Sequence, residues 1–530
     1  MQPNTGLHIN KRYINVLLLL VIVLYIINSL CYLRAQSITD DEGSFYSYAK
    51  RYLKGRPERI YPAADNSKMP FNVVNTLPRV AEQIMHPALK KSDNGDGDIM
   101  MGRYVTLFIS VFTILLVFAW AGQLYGPVAG LFAAFLMSFC PNNLANASLV
   151  TSDSYSVLFL LLCIFLLWRF CRAPAIKNFI LLSVAVAVAQ LVKQSLFHLY
   201  IIVPLCLLIH FLINKKTLQV KKFAGYFLLF VAINWLIINA GYYFSGSFMA
   251  LGNYHFMSNL FIGVQHSFPS WLPVPLPRPF VDGLDMAKYY DQLGGGYNQL
   301  SSFGKVTILG RSATGGAFWY YYFVSVFFKT PVSYFILLVW SIILLLKHTS
   351  FKLWINKEFF LAMPVVYFLV TLSFFYKTQC GIRHLIFIYP FLFIMCAGVV
   401  PYIKSRYSIV AATAACIFLI VSVLRYWRNY YPYTNEFIAD KKVAYQYVGA
   451  GNLEFHQAFL FCDEYIKTHP GVSWVPAYPK AGTFLITTDD YLDIWNRHTY
   501  NWIARFKPSG IVAFSELLIT VTPDDPGTGK

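Results

Sequence analysis

Long apolar runs recur along this chain and decide what it can fold into. A run of roughly 20 apolar residues is the length that crosses a bilayer as a helix. The composition agrees with membrane burial, because 57% of the residues are hydrophobic and 13% are charged, whereas soluble domains carry about 25% charged residues. We therefore predict a polytopic α-helical membrane protein with about eleven transmembrane helices. The predicted spans are residues 14–33, 103–122, 127–142, 154–171, 177–192, 195–213, 223–243, 332–347, 359–376, 384–402 and 408–425.

The formal net charge of +18 is explained by topology rather than by nucleic-acid binding. The sequence contains no zinc finger, no RNA-binding signature and no Lys/Arg-rich run. If the N-terminus is cytoplasmic, most basic residues of the short connections fall on the inner side, as membrane insertion favours. The odd number of spans then places the C-terminus outside. We predict a multi-pass protein of the plasma (inner) membrane whose first span, after Lys11 and Arg12, is not cleaved.

Three longer segments face outward in this topology. We predict a transmembrane domain over residues 1–426 and an extracytoplasmic C-terminal domain over residues 427–530. Within the latter, residues 453–467 have a helical pattern and residues 483–488 and 511–514 have strand patterns, which predicts a small α/β domain. The outer segments are residues 34–102, 244–331 and 427–530.

Two adjacent acids stand at the start of the first outer segment. Asp41 and Glu42 precede an amphipathic stretch in which Phe45, Tyr48 and Tyr52 fall on one helical face. A helix with this aromatic and basic mixture suits the membrane interface, and its positive N-terminal end would lie beside both carboxylates. The alternative is an ordinary acidic helix cap.

A third acid and several cations are predicted at the same outer boundary. Asp153 begins the fourth span, where it is either a helix cap or part of a site. A basic residue at such a boundary often only extends its charge to the interface. Together, however, these acids and cations could deprotonate a hydroxyl group and hold a phosphate. The candidate cations are Lys193, Lys329, Arg383 and His384.

Several stretches, taken in order, resemble one family of membrane enzymes. They are Asp41-Glu42 with its aromatic helix, residues 102–126 with Pro141 and Asp153, residues 318–323 with Lys329-Thr330-Pro331, Gly381-Ile382-Arg383-His384 with Tyr389-Pro390, and residues 431–436. The chain resembles polyprenyl-phosphate-dependent glycosyltransferases of the GT-C fold, in the bacterial branch related to protein O-mannosyltransferases and the lipid A aminoarabinose transferase. One departure lies in the tail. Some relatives have Asp-Trp-Gly-Gln where this chain has Leu453-Glu454-Phe455-His456-Gln457.

The resemblance implies an inverting sugar transfer from a polyprenyl-phosphate donor on the outer, periplasmic face. Asp41 would be the general base, while Glu42 and Asp153 would position the acceptor or orient nearby cations. The implied acceptor is a glycan, a lipid or a protein, and the surrounding membrane lipid is the other partner. Residues implied to bind the carrier phosphate are Arg383, His384 and Lys329, with Arg311 and Lys193 as weaker candidates.

No cofactor is required by this scheme, because cations can stabilise a departing phosphate. A divalent metal at Asp41, Glu42 and Asp153 is an open alternative. The nine cysteines show no paired metal-binding spacing, and no residue is assigned as a metal ligand.

Other functions compete with this interpretation. A transporter or flippase for lipid-linked saccharides would need ionisable residues along a path through the spans, whereas the acids here cluster at outer ends. A polysaccharide polymerase or ligase would, like the transferase, use lipid-linked donors and have large outer loops. The Asp41-Glu42 pair in the first outer segment favours the transferase over this alternative. A non-catalytic scaffold is the remaining alternative.

Overall fold

The structure, a computed structural model, describes residues 10–60, 62–86, 95–214, 220–294 and 304–525. Parts of the predicted outer segments and the last five residues of the chain therefore lie outside the described residues. The described part is mainly helical, as the apolar runs predict.

Eleven α-helices occupy the first half of the chain. Gly126 separates α5 from α6 with a φ of +99°, a conformation that glycine adopts without strain. The helices are α1 Lys11–Ala35, α2 Glu42–Leu53, α3 Pro62–Asp65, α4 Leu77–Met85, α5 Gly95–Tyr125, α6 Pro127–Ser138, α7 Pro141–Asn146, α8 Asp153–Arg172, α9 Ile176–Ala189, α10 Leu199–Ile213 and α11 Val220–Gly241.

The segment after α11 contains short strands and two helices. Strand β1 (Met249–Ala250) pairs antiparallel with β2 (Pro273–Val274), and helices α12 (Asn259–Ser267) and α13 (Arg278–Leu293) pack on each other. A hairpin follows. Its strands are β3 Lys305–Ile308 and β4 Arg311–Thr314.

Six further α-helices complete the apolar part. Residues 382–402 form one helical segment, because 3₁₀ turns at Ile382–Ile388 and Ala397–Tyr402 extend the central helix at both ends. The helices are α14 Tyr321–Lys329, α15 Val332–His348, α16 Phe351–Ile355, α17 Phe359–Phe374, α18 Tyr389–Cys396 and α19 Arg406–Leu424.

Each of the eleven predicted spans coincides with a helix, but not every helix is long enough to cross a membrane. Within the described residues, seven helices meet the length and composition of a span, or eight if the bent pair α14–α15 counts as one. Helices α6, α9 and α17 are apolar but shorter. At 16 residues, α17 is about 24 Å long, less than a hydrocarbon core of about 30 Å. The count of eleven is therefore not confirmed.

Aromatic side chains tie α5 to α8 and α18 in the core. The Trp120 ring lies 5.6 Å from that of Phe165, 5.9 Å from that of Trp168 and 6.0 Å from that of Phe391, measured between ring centroids. Such pairs add about 0.5–1.5 kcal/mol beyond their buried area. The packing fixes the helices whose ends carry the candidate site.

The C-terminal segment contains helices and a mixed four-stranded sheet. Its elements are α20 Ala444–Val448, α21 Phe459–Thr468, β5 Val472–Trp474, β6 Gly482–Ile486, α22 Thr488–Tyr491, β7 Gly510–Val512 and β8 Glu516–Val521. The strand order is β5-β6-β8-β7, in which β5 and β6 are parallel and the other two pairings are antiparallel. The helix α21 and the strands β6 and β7 overlap the three sequence-predicted elements.

A sharp bend separates α14 from α15, and the segment after α19 holds it. The two helices meet at 104°. Asn435 donates through Nδ2 to the carbonyls of Phe327 (2.5 Å) and Thr330 (3.0 Å), while the Val332 amide donates to Glu436 (3.2 Å). One side chain therefore satisfies carbonyls at the end of α14, and its neighbour satisfies an amide at the start of α15.

Truncating Asn435 tests this role. Asn435→Ala leaves the buried Thr330 carbonyl and the partly buried Phe327 carbonyl without this donor, and we expect a loss of about 1–3 kcal/mol in the free energy of unfolding in detergent. The matched control is Asn178→Ala, because Asn178 also donates to a carbonyl, that of Ala173, in a solvent-exposed hydrogen bond. Its expected effect is within about 0.5 kcal/mol. Equal losses in both variants would show that Asn435 does not hold the bend.

Candidate active site

The start of α2 is fixed by a fully buried ion pair between Glu42 and Arg103. Arg103 Nε donates to Glu42 Oε1 at 2.8 Å, and Nη2 donates to Oε2 at 2.5 Å. Both side chains have no exposed surface. This two-point geometry is the strong form of a charge-assisted hydrogen bond. It joins the start of α2 to α5.

Both partners of this pair are hydrogen-bonded to the backbone around them. Glu42 also accepts from the amide (2.9 Å) and hydroxyl (3.0 Å) of Thr39 and from the Val150 amide at 3.0 Å. Its carboxylate is thus fully used within the protein. Glu42 thus pairs with a cation, and its predicted role in positioning an acceptor or orienting nearby cations stays a prediction. The Arg103 guanidinium donates to the carbonyls of Leu33 (3.1 Å), Gln36 (3.2 Å) and Ser37 (2.7 Å).

Asp41 immediately precedes α2, but its side chain does not cap that helix. The residue has helical dihedral angles and no capping hydrogen bond. Instead, Oδ2 accepts from Arg383 Nη1 at 2.7 Å. The Asp41 side chain is 31% exposed and that of Arg383 is 7% exposed. The helix-cap alternative therefore does not describe Asp41, which faces a partly open site shared with Arg383.

Two cations set the charge state of Asp41. Burial by itself raises the pKa of this carboxyl, but the charges of Arg383 and Lys68 outweigh burial and lower the pKa to about 2. Burial lowers the pKa of Lys68, whose ammonium lies 3.8 Å from the Phe45 ring centroid. Sequence reasoning missed Lys68, because a single lysine in an outer segment looks like any solvated charge. The only signal was its place in the same outer segment as Asp41.

Asp153 supplies the second acid of the site. It begins α8, is buried, forms an ion pair with Lys193, and accepts from the Thr151 hydroxyl at 3.3 Å. Arg383 and His384 are further charged or titratable neighbours of this carboxylate.

His384 completes the cluster. Its imidazole is half-buried among Lys193, Arg383, Asp153 and Asp41, and it makes no hydrogen bond to any residue that the structure describes. Five sequence-predicted residues thus come together. We call this group the boundary cluster: Asp41, Asp153, Lys193, Arg383 and His384.

Two predicted phosphate ligands do not belong to the boundary cluster. Lys329 is buried, and its ammonium donates to the carbonyls of Tyr431 and Asn452, each at 2.6 Å. Through these two hydrogen bonds, Lys329 joins α14 to the C-terminal segment. Arg311 lies exposed on β4, and in the described part of the chain no hydrogen bond or ion pair joins it to the cluster.

The three predicted acids do not form a common metal site among the described residues. Asp41 pairs with Arg383, Glu42 with Arg103, and Asp153 with Lys193, so that each carboxylate has its own cation. Another set of potential metal ligands does lie close together, in the C-terminal segment. The candidate ligand atoms of Glu454, His456 and Asp489 all lie within 4.8 Å of one another.

One family model matches the chain. The model described as dolichyl-phosphate-mannose-protein mannosyltransferase matches residues 95–238. The resemblance to this group of enzymes is confirmed over that segment. The matched residues include Arg103, Asp153 and Lys193, and they run from α5 to α11. No curated protein sequence matches the chain significantly.

The structure of this chain is similar to solved structures of two other proteins, although the sequence identity is low. The archaeal oligosaccharyltransferase AglB of Archaeoglobus fulgidus, in complex with an inhibitory peptide and a dolichol-phosphate, has 12% identity and a TM-score of 0.48. The alignment covers 78% of this chain and 56% of the archaeal protein, so the chain spans little more than half of that relative.

The second protein is ArnT of Cupriavidus metallidurans. Its apo structure has 12% identity and a TM-score of 0.47 over 96% of this chain and 98% of ArnT. Its structure bound to undecaprenyl phosphate has 10% identity and a TM-score of 0.47, over 97% and 99% respectively. Likeness at this level does not decide activity, so the function is argued below from the site.

Breaking the buried pair between Glu42 and Arg103 tests whether it stabilises the structure around the boundary cluster. Glu42→Gln keeps the shape of the side chain but leaves Arg103 as an uncompensated buried charge. We expect a loss of about 3–5 kcal/mol in the free energy of unfolding, measured by denaturation in detergent.

The control for this variant is Asp282→Asn, which removes the carboxylate of a half-exposed pair with Arg278. An exposed pair contributes less than about 1 kcal/mol. If Glu42→Gln were no more destabilising than this control, the buried pair would not be what fixes the start of α2.

Proposed function

We propose that the chain is an inverting membrane glycosyltransferase. It transfers a sugar from a polyprenyl-phosphate donor to a hydroxyl group of an acceptor on the outer (periplasmic) face of the plasma membrane. The N-terminus is then cytoplasmic and the C-terminal segment extracytoplasmic. The family match supports a donor of this class, since the matched description names a dolichyl phosphate.

The ion pair between Asp41 and Arg383 is the observation that carries the proposal. It brings the beginning of the first outer segment to the beginning of the apolar helical segment 382–402. The Asp153–Lys193 pair lies beside it, also at the end of an apolar helix. Acidic and basic side chains are thus concentrated at the ends of apolar helices. The head group of a lipid-linked donor lies at the same level, at the membrane–water boundary.

Arg383 is the principal ligand proposed for the carrier phosphate, with Lys193 and His384 beside it. Arginine binds phosphate oxygens in two-point geometry, and such bonds strengthen as charge develops on a leaving phosphate. The phosphate and Asp41 would then compete for the same guanidinium. Asp41 holds the place that a phosphate oxygen takes when the donor binds.

This competition couples donor binding to base strength. A carboxylate with a pKa of about 2 is a weak base, because a general base works best with a pKa near the working pH. When the phosphate draws Arg383 away, Asp41 loses its main neutralising partner and lies beside the negative phosphate. Its pKa then rises toward a more useful range.

The reaction balances with these groups. The acceptor oxygen attacks the anomeric carbon and passes its proton to Asp41. The bond between the anomeric carbon and the phosphate oxygen breaks, and the polyprenyl phosphate leaves with that electron pair. Attack on the face opposite to the leaving group inverts the configuration. Asp153, held by Lys193, is proposed to position the acceptor.

The transporter alternative is less well supported by these contacts. The acids of the boundary cluster are paired with cations at the ends of apolar helices, instead of forming a path along one. A polymerase or ligase remains a related alternative, because it would use the same class of donor. Identifying the acceptor that is modified would distinguish the proposed transferase from a polymerase or ligase.

Replacing Asp41 tests the catalytic assignment. In a deletion strain complemented with Asp41→Asn, we expect no sugar transfer at normal expression and accumulation of the lipid-phosphate sugar. Loss of a general base typically slows a reaction by about 10²–10⁴-fold. Mass spectrometry of membranes and surface glycans measures both the missing sugar and the accumulated donor.

The matched control is Asp96→Asn, because Asp96 is an exposed acid at the start of another apolar helix. This variant should restore the wild-type glycan pattern. Full restoration by Asp41→Asn as well would refute the catalytic role of Asp41.

A further inference from the structure

A second group of ionisable side chains lies in the C-terminal segment, outside the boundary cluster. Glu454 and His456 come from the loop before α21, Asp489 lies in α22, and Glu516 begins β8. The three carboxyl-bearing side chains are buried. Ligand atoms of Glu454, His456 and Asp489 lie within 4.8 Å of one another. Topologically distant elements thus place three potential ligands around one point.

Each buried acid presents an oxygen without a hydrogen-bond partner in the part of the chain that the structure describes. These atoms are Glu454 Oε1, Asp489 Oδ1 and Glu516 Oε2, and all three are shielded from solvent. The second oxygen of two of these groups is held in place, because Glu454 Oε2 accepts from the Asp489 amide at 2.9 Å and Glu516 Oε1 accepts from the Ser515 hydroxyl at 3.1 Å. Buried polar atoms without hydrogen bonds are costly and rare, so three of them close together are the arrangement expected of a ligand site.

Acidic side chains crowd around these oxygens. The strongest charged neighbours of Glu454 are Glu516, Asp489 and Asp490. A bound cation would stabilise these carboxyl groups in their ionised form and compensate their charge.

His456 has the geometry of an oriented metal ligand. One ring nitrogen, Nδ1, contacts the carboxylate of Asp40, and the other, Nε2, lies 3.6 Å from Glu454 Oε1. A metal-binding histidine generally donates its second ring N–H to a carboxylate, which fixes the ring and leaves the other nitrogen free for the metal. Two ligands of one tetrahedral zinc ion lie about 3.4 Å apart, given bonds of about 2.0–2.2 Å.

We propose that Glu454, His456 and Asp489 bind a divalent cation of the zinc class, with Asp40 orienting His456 and Glu516 adding negative charge. The mixed imidazole and carboxylate donors favour zinc over calcium, which takes six to eight oxygen ligands.

The site also joins two parts of the chain. Ser37 in the loop before α2 donates from its amide to the Gln457 carbonyl at 3.0 Å and from its hydroxyl to the His456 carbonyl at 2.7 Å. Asp40 is adjacent in sequence to Asp41. The cation therefore holds the C-terminal segment against the loop that carries the proposed base, so its role is structural and positioning.

Metal binding by the full-length protein in detergent tests the proposal. The protein is stripped with a chelator and titrated with Zn²⁺, Mn²⁺ or Ca²⁺. Metal content is measured by mass spectrometry, affinity by competition with a chromophoric chelator, and stability by thermal unfolding. We expect one tightly bound zinc ion per chain, weaker binding of calcium, and a lower melting temperature after stripping that zinc restores.

Asp489→Asn removes one ligand with little change of shape, and we expect zinc affinity to fall by at least about 10–100-fold. The matched control is His498→Gln, because the His498–Asp493 pair in the same segment is a similar histidine–carboxylate contact that Lys305 already neutralises. That variant should bind zinc as the wild type does.

Three results would overturn the proposal. They are the absence of stoichiometric zinc with no thermal response to its addition, equal zinc affinities of Asp489→Asn and His498→Gln, and tighter binding of calcium than of zinc. None of these measurements depends on sugar transfer, so the outcome is independent of the proposed function.

Discussion

The buried ion pair between Glu42 and Arg103 is the interaction on which the segment around the boundary cluster depends. An arginine without a partner in a water-free position would be very costly, so the pair dictates how the end of α1, the loop after it and α5 meet. The carbonyls of that loop are satisfied by the same guanidinium. Because Glu42 is locked in this way, the adjacent Asp41 is directed toward Arg383.

The two neighbouring acids therefore have different roles, and burial separates them. Glu42 has no exposed surface and all its partners are within the protein, whereas Asp41 is 31% exposed and shares a single arginine. A substrate phosphate can compete for Arg383, but nothing from outside can reach Arg103. The C-terminal segment supports the same arrangement from the other side, through Lys329 and through the loop that carries His456.

Much of the fold was predictable from the sequence, because apolar runs mark helices that a membrane can hold. The number of spans was not predictable, since a run such as 359–376 continues past the C-terminal end of its 16-residue helix, which ends at Phe374. Proximity of Asp41, Asp153 and Arg383 followed from their common position at predicted outer ends. The burial of Lys329 did not, because a lysine at a helix end usually reaches water. The group formed by Glu454, His456 and Asp489 was also missed, since Asp489 lies far along the chain and reaches the others only through the packing of the tail.

The competition between Asp41 and a carrier phosphate for Arg383 is the central claim, and a binding measurement tests it most directly. Affinity of the purified full-length protein for a polyprenyl phosphate can be compared with that of Asp41→Asn and Arg383→Gln, with the exposed Arg406→Gln as control. The account predicts opposite effects. Asp41→Asn binds the phosphate more tightly because Arg383 is released, and Arg383→Gln binds it about 10–100-fold more weakly, as expected for loss of a charge-assisted hydrogen bond. If Arg383→Gln bound the phosphate as well as the control does, the proposed role of this ion pair would be wrong.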